Sequence, residues 1–224
     1  MADFEAQNPI PSRRVPANAV TKERRWLRDL GPFVPILAIE QQAMTSAFVF
    51  AALITAGSPV ALAILAAFAV AILLGLVQGF LVSRGLNPIV TTMAFGSALF
   101  GIVVMLADNR TITLSPNPIA ELGGGTTLGV PNQAIIFVVL LAIGSFLLAR
   151  TKLGRQLLLT GSNPDAAELV GIPTKRIVMI AFVVAALASA IVGILVVGQV
   201  SQAKSDMFRG LTIDVVAAVL VGGI

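Results

Sequence analysis

From Pro59 to Val82 the chain carries no charged side chain and a single amide, Gln78. As an α-helix this run is about 36 Å long, more than the roughly 30 Å of a bilayer's hydrocarbon core. Pro88 to Ala107, Asn132 to Ala149 and Ile177 to Gln199 are likewise free of charge. Lipid offers the backbone no water, so each run has to close its own hydrogen bonds as a helix. The expected fold class is therefore all-α, a polytopic transmembrane helical bundle with about five to six spans. Composition agrees, because only 12% of residues are charged, about half the share in a soluble domain.

Two less regular apolar runs complete that count. Gly31 to Gly57 is interrupted by Glu40, Gln41 and Gln42. Only Ala43 to Ala56 is cleanly apolar, about 21 Å as a helix, so this segment has to recruit the turns from Phe33 to Ile39 or stay partly interfacial. Leu211 to Ile224 is the other. Within Pro59 to Val82, the small residues Ala61, Ala63, Ala66, Ala67, Ala71, Gly75 and Gly79 recur at three- and four-residue spacing, which lets helices approach closely in lipid. Asp108 to Pro131 contains three prolines and the Gly123-Gly124-Gly125 run. It reads as a flexible connector, because it lacks the Lys-Ser/Thr of a phosphate-binding loop.

The positive charges set an orientation. Residues 1–30 hold six Lys and Arg residues, the Ser83 to Asn87 turn holds Arg84, and residues 150–176 hold five more, together twelve of fifteen. An alternating topology puts all three on one side, the side that positive charge marks as cytoplasmic. Residues 1–30 are thus expected to be a cytoplasmic polar tail with Trp26 at headgroup level, and residues 31–224 a transmembrane domain. The net charge of +4 does not indicate nucleic acid, since the basic residues flank apolar runs instead of forming one face. With neither Cys nor His, no thiolate or imidazole chemistry is available, and no metal or cofactor is expected.

Residues 150–176 are polar where their surroundings are apolar. Asn163 is placed to cap a helix, Pro164 suits its first position, and Asp165 favours the positive end. Gly171 and Pro173 stop it. A helix of about two turns, roughly Pro164 to Val170, is expected on the cytoplasmic face.

Three motifs carry a resemblance. Gly154-Arg155, Gly161-x-Asn163, Ala166-Ala167 and Leu169-x-Gly171-Ile172 resemble the cytoplasmic loop of permease subunits from bacterial ATP-binding-cassette importers, closest to the ribose- and xylose-type monosaccharide permeases and related to branched-chain amino-acid permeases. Ile213-Asp214-x-x-Ala217-Ala218, ending in Gly222-Gly223, and Asn87-Pro88-Ile89-Val90-Thr91 resemble two further segments of that family, in family order. The likeness covers about Leu73 to Ile224. Where the family carries Gly-Ile-Asp-Leu-Ser, this chain has Ile39-Glu40-Gln41-Gln42, and the family continues past the Gly-Gly. A partial permease is therefore the expectation.

The resemblance implies that residues 150–176 couple to an ATPase through Gly154, Arg155, Gly161, Asn163, Pro164, Asp165, Ala166, Ala167, Glu168, Leu169, Gly171 and Ile172. Ala166, Ala167, Leu169 and Val170 would dock, and Asp165 and Glu168 would pair with basic residues of the partner. No nucleotide-binding motif or enzyme site is present in the sequence, so energy would come from another chain. Implied partners are an ATP-binding-cassette ATPase, a periplasmic or lipoprotein sugar-binding protein docking at Asp108 to Pro131 and Ser201 to Gly210, a second permease subunit in a homodimer or heterodimer, and the lipid of the bacterial inner membrane. Gln78, Thr91, Thr92, Ser97, Gln199, Gln202 and Asp214 are candidates for the translocation path, because polar groups within a span face a cavity, a partner or an interface. Two alternatives remain open: a secondary transporter or channel that couples ions through Asp214 and Glu40, and a non-transporting permease fragment.

Overall fold

The computed structural model of the chain describes residues 38–108, 110–127 and 129–221. The expected tail at residues 1–30 with Trp26, the turns from Phe33 to Leu37 and the Gly222-Gly223 end of the last motif lie outside them. Four of the described helices are long and apolar enough to cross a membrane: α2 (Val60–Ser83), α3 (Pro88–Leu106), α5 (Asn132–Arg150) and α8 (Thr174–Val200). These are the four uncharged runs, with ends within about one turn of expectation. Before α5, α1 (Ile39–Thr55) precedes α2, strand β1 (Ile112–Thr113) follows α3, and the short helix α4 (Ala120–Gly124) comes next. The hairpin β2 (Thr126–Thr127) and β3 (Val130–Pro131) leads into α5. Helices α6 (Lys152–Ser162) and α7 (Pro164–Leu169) connect α5 to α8, and β4 (Gln202–Ala203) and α9 (Leu211–Val221) follow.

Helices α2 and α8 meet backbone to backbone. A methyl group added at Gly75 would lie 2.9 Å from Val183 Cα, and one at Gly79 would lie 2.8 Å from Met179 Cα. Ala63, Ala67 and Ala71 continue the same stripe and are fully buried, and α8 contributes buried Ala186, Ala190 and Val197. Lipid tails are as apolar as leucine, so no hydrophobic gain draws these helices together. Dispersion between closely packed backbones does so instead, which is why the small residues face inward. The larger Leu62, Leu65, Leu73 and Leu76 of α2 point outward and are exposed, as lipid-facing side chains should be. No side chain of α5 is buried.

Helix α1 is more deeply enclosed than its interrupted apolar run suggests: Ala43, Met44, Ala47, Phe50 and Ala51 are almost wholly buried and join the core with residues of α2, α3 and α8. Gly193 of α8 lies directly against the Ala43 carbonyl and near the Ala47 amide. At 17 residues it is about 25 Å long, short for a full crossing. It is accommodated because it packs on both α2 and α8.

The segment between α3 and α5 also departs from expectation. It folds onto the Gln199 end of α8 as an ordered cap instead of a flexible connector. β1 pairs antiparallel with β4, Ile112 opposite Ala203 and Thr113 opposite Gln202, and Leu114 N–H extends the pairing to Ser201 O at 2.9 Å. Asn117 Nδ2 donates to Gly198 O at 2.8 Å and to Ser201 Oγ at 2.9 Å. It thereby occupies a carbonyl of the last turn of α8, where intrahelical donors have run out. Gly123 packs directly on the Gly198–Gln199 backbone, leaving no room for a side chain. Leu114, Ile119, Ala203 and Phe208 are buried in the same core as α1.

Filling these contacts should be costly in a position-specific way. Gly75→Val and Gly193→Val are each expected to destabilise the bundle by about 1–3 kcal/mol, the usual range for overpacking. Gly144→Val in α5, where nothing lies within 4 Å, should cost much less. Denaturant titration of the purified protein in micelles measures both, and equal losses at all three positions would contradict backbone contact as the organising interaction.

Candidate functional site

The polar segment between α5 and α8 is built from two capped helices. Thr151 closes α5 by donating to Leu147 O at 2.5 Å and opens α6 by accepting from Gly154 N–H at 3.1 Å. One hydroxyl serves both helix ends, so the chain passes from one helix to the next without a loop. Gly154 is buried beneath the Leu147 and Leu148 carbonyls, which leave no space for a Cβ. Helix α6 has no counterpart among the sequence expectations. It carries exposed Lys152 and Arg155 with exposed Leu153, Leu158 and Leu159, and Gly161 lies in its last turn.

Helix α7 has the expected signals in place. Asn163 Oδ1 accepts from Ala166 N–H at 3.1 Å, and Pro164 occupies the first turn with Asp165 beside it. At the other end Gly171 adopts φ +80°, a left-handed conformation that costs glycine nothing. Gly171 N–H donates to Glu168 O at 2.9 Å and Ile172 N–H to Ala167 O at 3.0 Å. Ala167 faces inward and is 2% exposed, whereas Leu169 is 91% and Val170 77% exposed. Glu168 Oε1 accepts from Thr174 Oγ1 at 2.6 Å, so this carboxylate also ties α7 to the first residue of α8. The result is a short, doubly capped helix whose free apolar surface is Ala166, Leu169 and Val170. Exposed Arg150, Lys152, Arg155, Lys175 and Arg176 give the surrounding surface positive charge.

The path residues named from sequence do not form one cluster. Thr91, Thr92 and Ser97 each donate to a carbonyl near the start of or within their own helix, at 2.8, 2.9 and 3.0 Å, a self-satisfying arrangement common for hydroxyls in spans. Thr92 is fully buried. Gln199 accepts from Gln133 Nε2 of α5 at 3.0 Å, and Gln202 is exposed in β4. Asp214 is exposed in the first turn of α9, where its N–H donates to Gly210 O. Gln78 is buried near the start of α8, about 30 Å along that helix from Gln199. Its partner is Gln42 of α1, whose Nε2 donates to Gln78 Oε1 at 2.8 Å. Glu40 Oε2 accepts from Thr212 Oγ1 at 3.3 Å and so holds α9 against α1. Sequence reasoning misses Gln41, Gln42 and Ser46 as site residues. Their signal is the pair of amides opening an otherwise apolar run, which by itself reads as a break in the span.

At the opposite end, two ion pairs mark the cap. Arg110 lies 3.1 Å from Asp108 and Lys204 3.1 Å from Asp206. The hydrogen bond from Lys204 holds the Asp206 carboxyl below its usual range. Both pairs are solvent-exposed and add little to stability. Removing the Asn163 cap should weaken α7 locally. Asn163→Ala is expected to cost about 1 kcal/mol, read by hydrogen exchange as an approximately fivefold loss of protection at Ala166 and Ala167, with Gly193 unaffected.

Comparison with known proteins places this arrangement in a family. Residues 34–224 match the family described as branched-chain amino acid transport system / permease component. A probable ABC transporter permease of Escherichia coli (strain K12), YphD, is 34% identical over 134 residues, covering 60% of this chain and 40% of that protein. The L-arabinose ABC transporter permease AraH of Azospirillum brasilense is 29% identical over 180 residues, 80% of this chain and 53% of the relative. The ribose import permease RbsC of Haemophilus influenzae is 31% identical over 186 residues, 81% and 57% respectively. The chain thus spans about half the length of these curated relatives. No solved structure matches it. With the family match extending over all of its described helices, the chain is a multi-pass membrane protein that belongs to the branched-chain amino acid transport system permease family.

Proposed function

We propose that this chain is the membrane-embedded permease subunit of an ATP-driven importer for a monosaccharide, with ATP hydrolysed by a partner ATP-binding-cassette subunit. The observation that carries the reading is α7: a rigid, capped helix that presents Leu169 and Val170 outward while Glu168 ties it to the first turn of α8. A helix built this way transmits force. A push on Leu169 reaches α8 through a hydrogen bond and two caps instead of being absorbed by a slack loop, and α8 is the helix on which α1, α2 and α4 pack. Its apolar tip suits a cleft in the ATPase, and the basic residues around it suit an acidic rim. Asp165, Ala166, Gly171 and Ile172 belong to the docking surface or its caps, while Gly154, Arg155, Gly161 and Asn163 shape its approach.

The names of the relatives support the solute class, since they include ribose, L-arabinose and galactofuranose transport proteins. A sugar-binding protein would deliver the solute at the cap formed by β1, β4 and α4, and a second permease subunit would complete the path. Residues 150–176 and the amino terminus would lie in the cytoplasm of a bacterium, with the chain in its inner membrane, as the distribution of Lys and Arg favours. Gln78 and Thr92 are the named path residues that remain buried among the helices. Asp214 and Gln199 sit at helix ends and suit entry positions.

Two measurements test this. Leu169→Glu combined with Val170→Glu changes only exposed side chains, so expression and folding should hold while capture of the neighbouring ATPase falls at least about tenfold. Undiminished capture would defeat the docking role. Uptake of labelled ribose or arabinose by cells carrying the system should stop when the partner's ATP site is inactivated and should survive a protonophore. The reverse pattern would identify a secondary transporter.

A further inference from the structure

Four buried polar atoms on α1 and α2 have no protein partner: Gln41 Oε1, Gln42 Oε1, Ser46 Oγ and Gln78 Nε2. Gln42, Ser46 and Gln78 are 1%, 0% and 0% exposed. Gln42 and Ser46 stand one turn apart on the same face of α1, and the hydrogen bond from Gln42 to Gln78 joins that face to α2. Gln41 Oε1 lies beside Gly96 of α3, 3.0 Å from where a methyl group there would sit. Gly96 is about 12 Å along α3 from its Pro88 end, close to half its length. Gln78 is about 8 Å from the Ser83 end of α2, so the cluster lies within the span but nearer that end, enclosed by three helices where lipid offers a polar group no water.

We infer that Gln41, Gln42, Ser46 and Gln78 form a hydroxyl-binding site between α1, α2 and α3, and that it takes adjacent hydroxyls of the transported polyol. An interhelical glutamine pair meant only as a crosslink satisfies both amides by exchanging two hydrogen bonds. This pair makes one, leaving an acceptor on Gln42 and a donor on Gln78. Exchanging oxygen and nitrogen in both amides reverses the bond and leaves the same inventory, so the surplus does not depend on amide orientation. A hydroxyl is the group that answers it, because it donates and accepts at one oxygen. Ser46 Oγ supplies both functions for a second hydroxyl, and Gln41 Oε1 accepts from a third group. Charged ligands fit poorly, since the site consists of neutral amides and a hydroxyl. Glu40, one residue away, already accepts from Thr212. Gly96 adds space: any larger residue there would push Gln41 out of the cluster. Burial of Gln42, Ser46 and Gln78 marks this conformation as closed around the site, and opening it requires α1 to move relative to α2, which parts the Gln42–Gln78 bond.

The class of solute rests on the permease reading, but the site is testable without an ATPase. The full chain in lipid nanodiscs is incubated with tritiated D-ribose, L-arabinose or D-galactose, and equilibrium binding is compared among wild type, Ser46→Ala, Gln78→Leu and the control Ser162→Ala at an exposed position of α6. Ser46→Ala removes one oxygen and keeps the helix packed, so it reads the site even if Gln78→Leu fails to fold. The expected result is saturable binding of at least one sugar, weakened about tenfold or more by Ser46→Ala and Gln78→Leu and unchanged by Ser162→Ala. Binding of no sugar by wild type, or equal binding by all four proteins, overturns the inference and leaves ATPase capture, and with it the permease reading, unaffected. A shift in melting temperature without a change in sugar binding also overturns it, since the cluster would then hold only water. Loss of ATPase capture with sugar binding intact would strike the permease reading and leave the site standing.

Discussion

Backbone contact between α2 and α8 is the constraint on which the remaining structure depends. In a bilayer, helices gain nothing from burying leucine, so a bundle holds only where side chains are small enough for main chains to touch. Gly75 and Gly79 bring α2 onto Val183 and Met179 of α8, and Gly193 brings α1 onto the same helix farther along it. Helix α8 is consequently the shared post of the molecule: α1, α2 and α4 rest on it, β4 follows from its end, and α7 is hydrogen-bonded to its beginning. A displacement at either end has one rigid element through which to travel.

Polar groups within this apolar frame fall into two kinds. Those that satisfy themselves locally, such as Thr91, Thr92 and Ser97 bonded to carbonyls one turn back, ask nothing of the surroundings. Those that need a partner on another element define tertiary structure: Asn117 with Gly198 and Ser201, Gln42 with Gln78, and Glu168 with Thr174. The first and last are complete. The middle one is half complete, which separates a binding site from a crosslink.

The two helix ends that flank α7 show how much can be read locally. Asn163, Pro164 and Gly171 act within a few residues of themselves, so the cap, the first turn and the left-handed stop are all visible in the order of residues. The same logic misses α6, because the amphipathic pattern of Lys152 to Ser162 merges with its neighbours into one polar segment. It fails most clearly for residues 108–131. Prolines and glycines there look like slack, whereas Gly123 is small because Gly198 lies against it, and Asn117 is held by groups more than eighty residues away.

By itself the sequence determined that the chain crosses a membrane as helices, where four of those helices run, and where a short capped helix interrupts them, because hydropathy over a bilayer's thickness and capping chemistry are both properties of neighbouring residues. Only the tertiary structure decided that α1 packs into the core of the bundle, that the segment after α3 caps α8, and that Gln42 faces Gln78. Those outcomes depend on which small residue meets which backbone across the lipid-embedded core, and such pairings join positions that no local pattern connects.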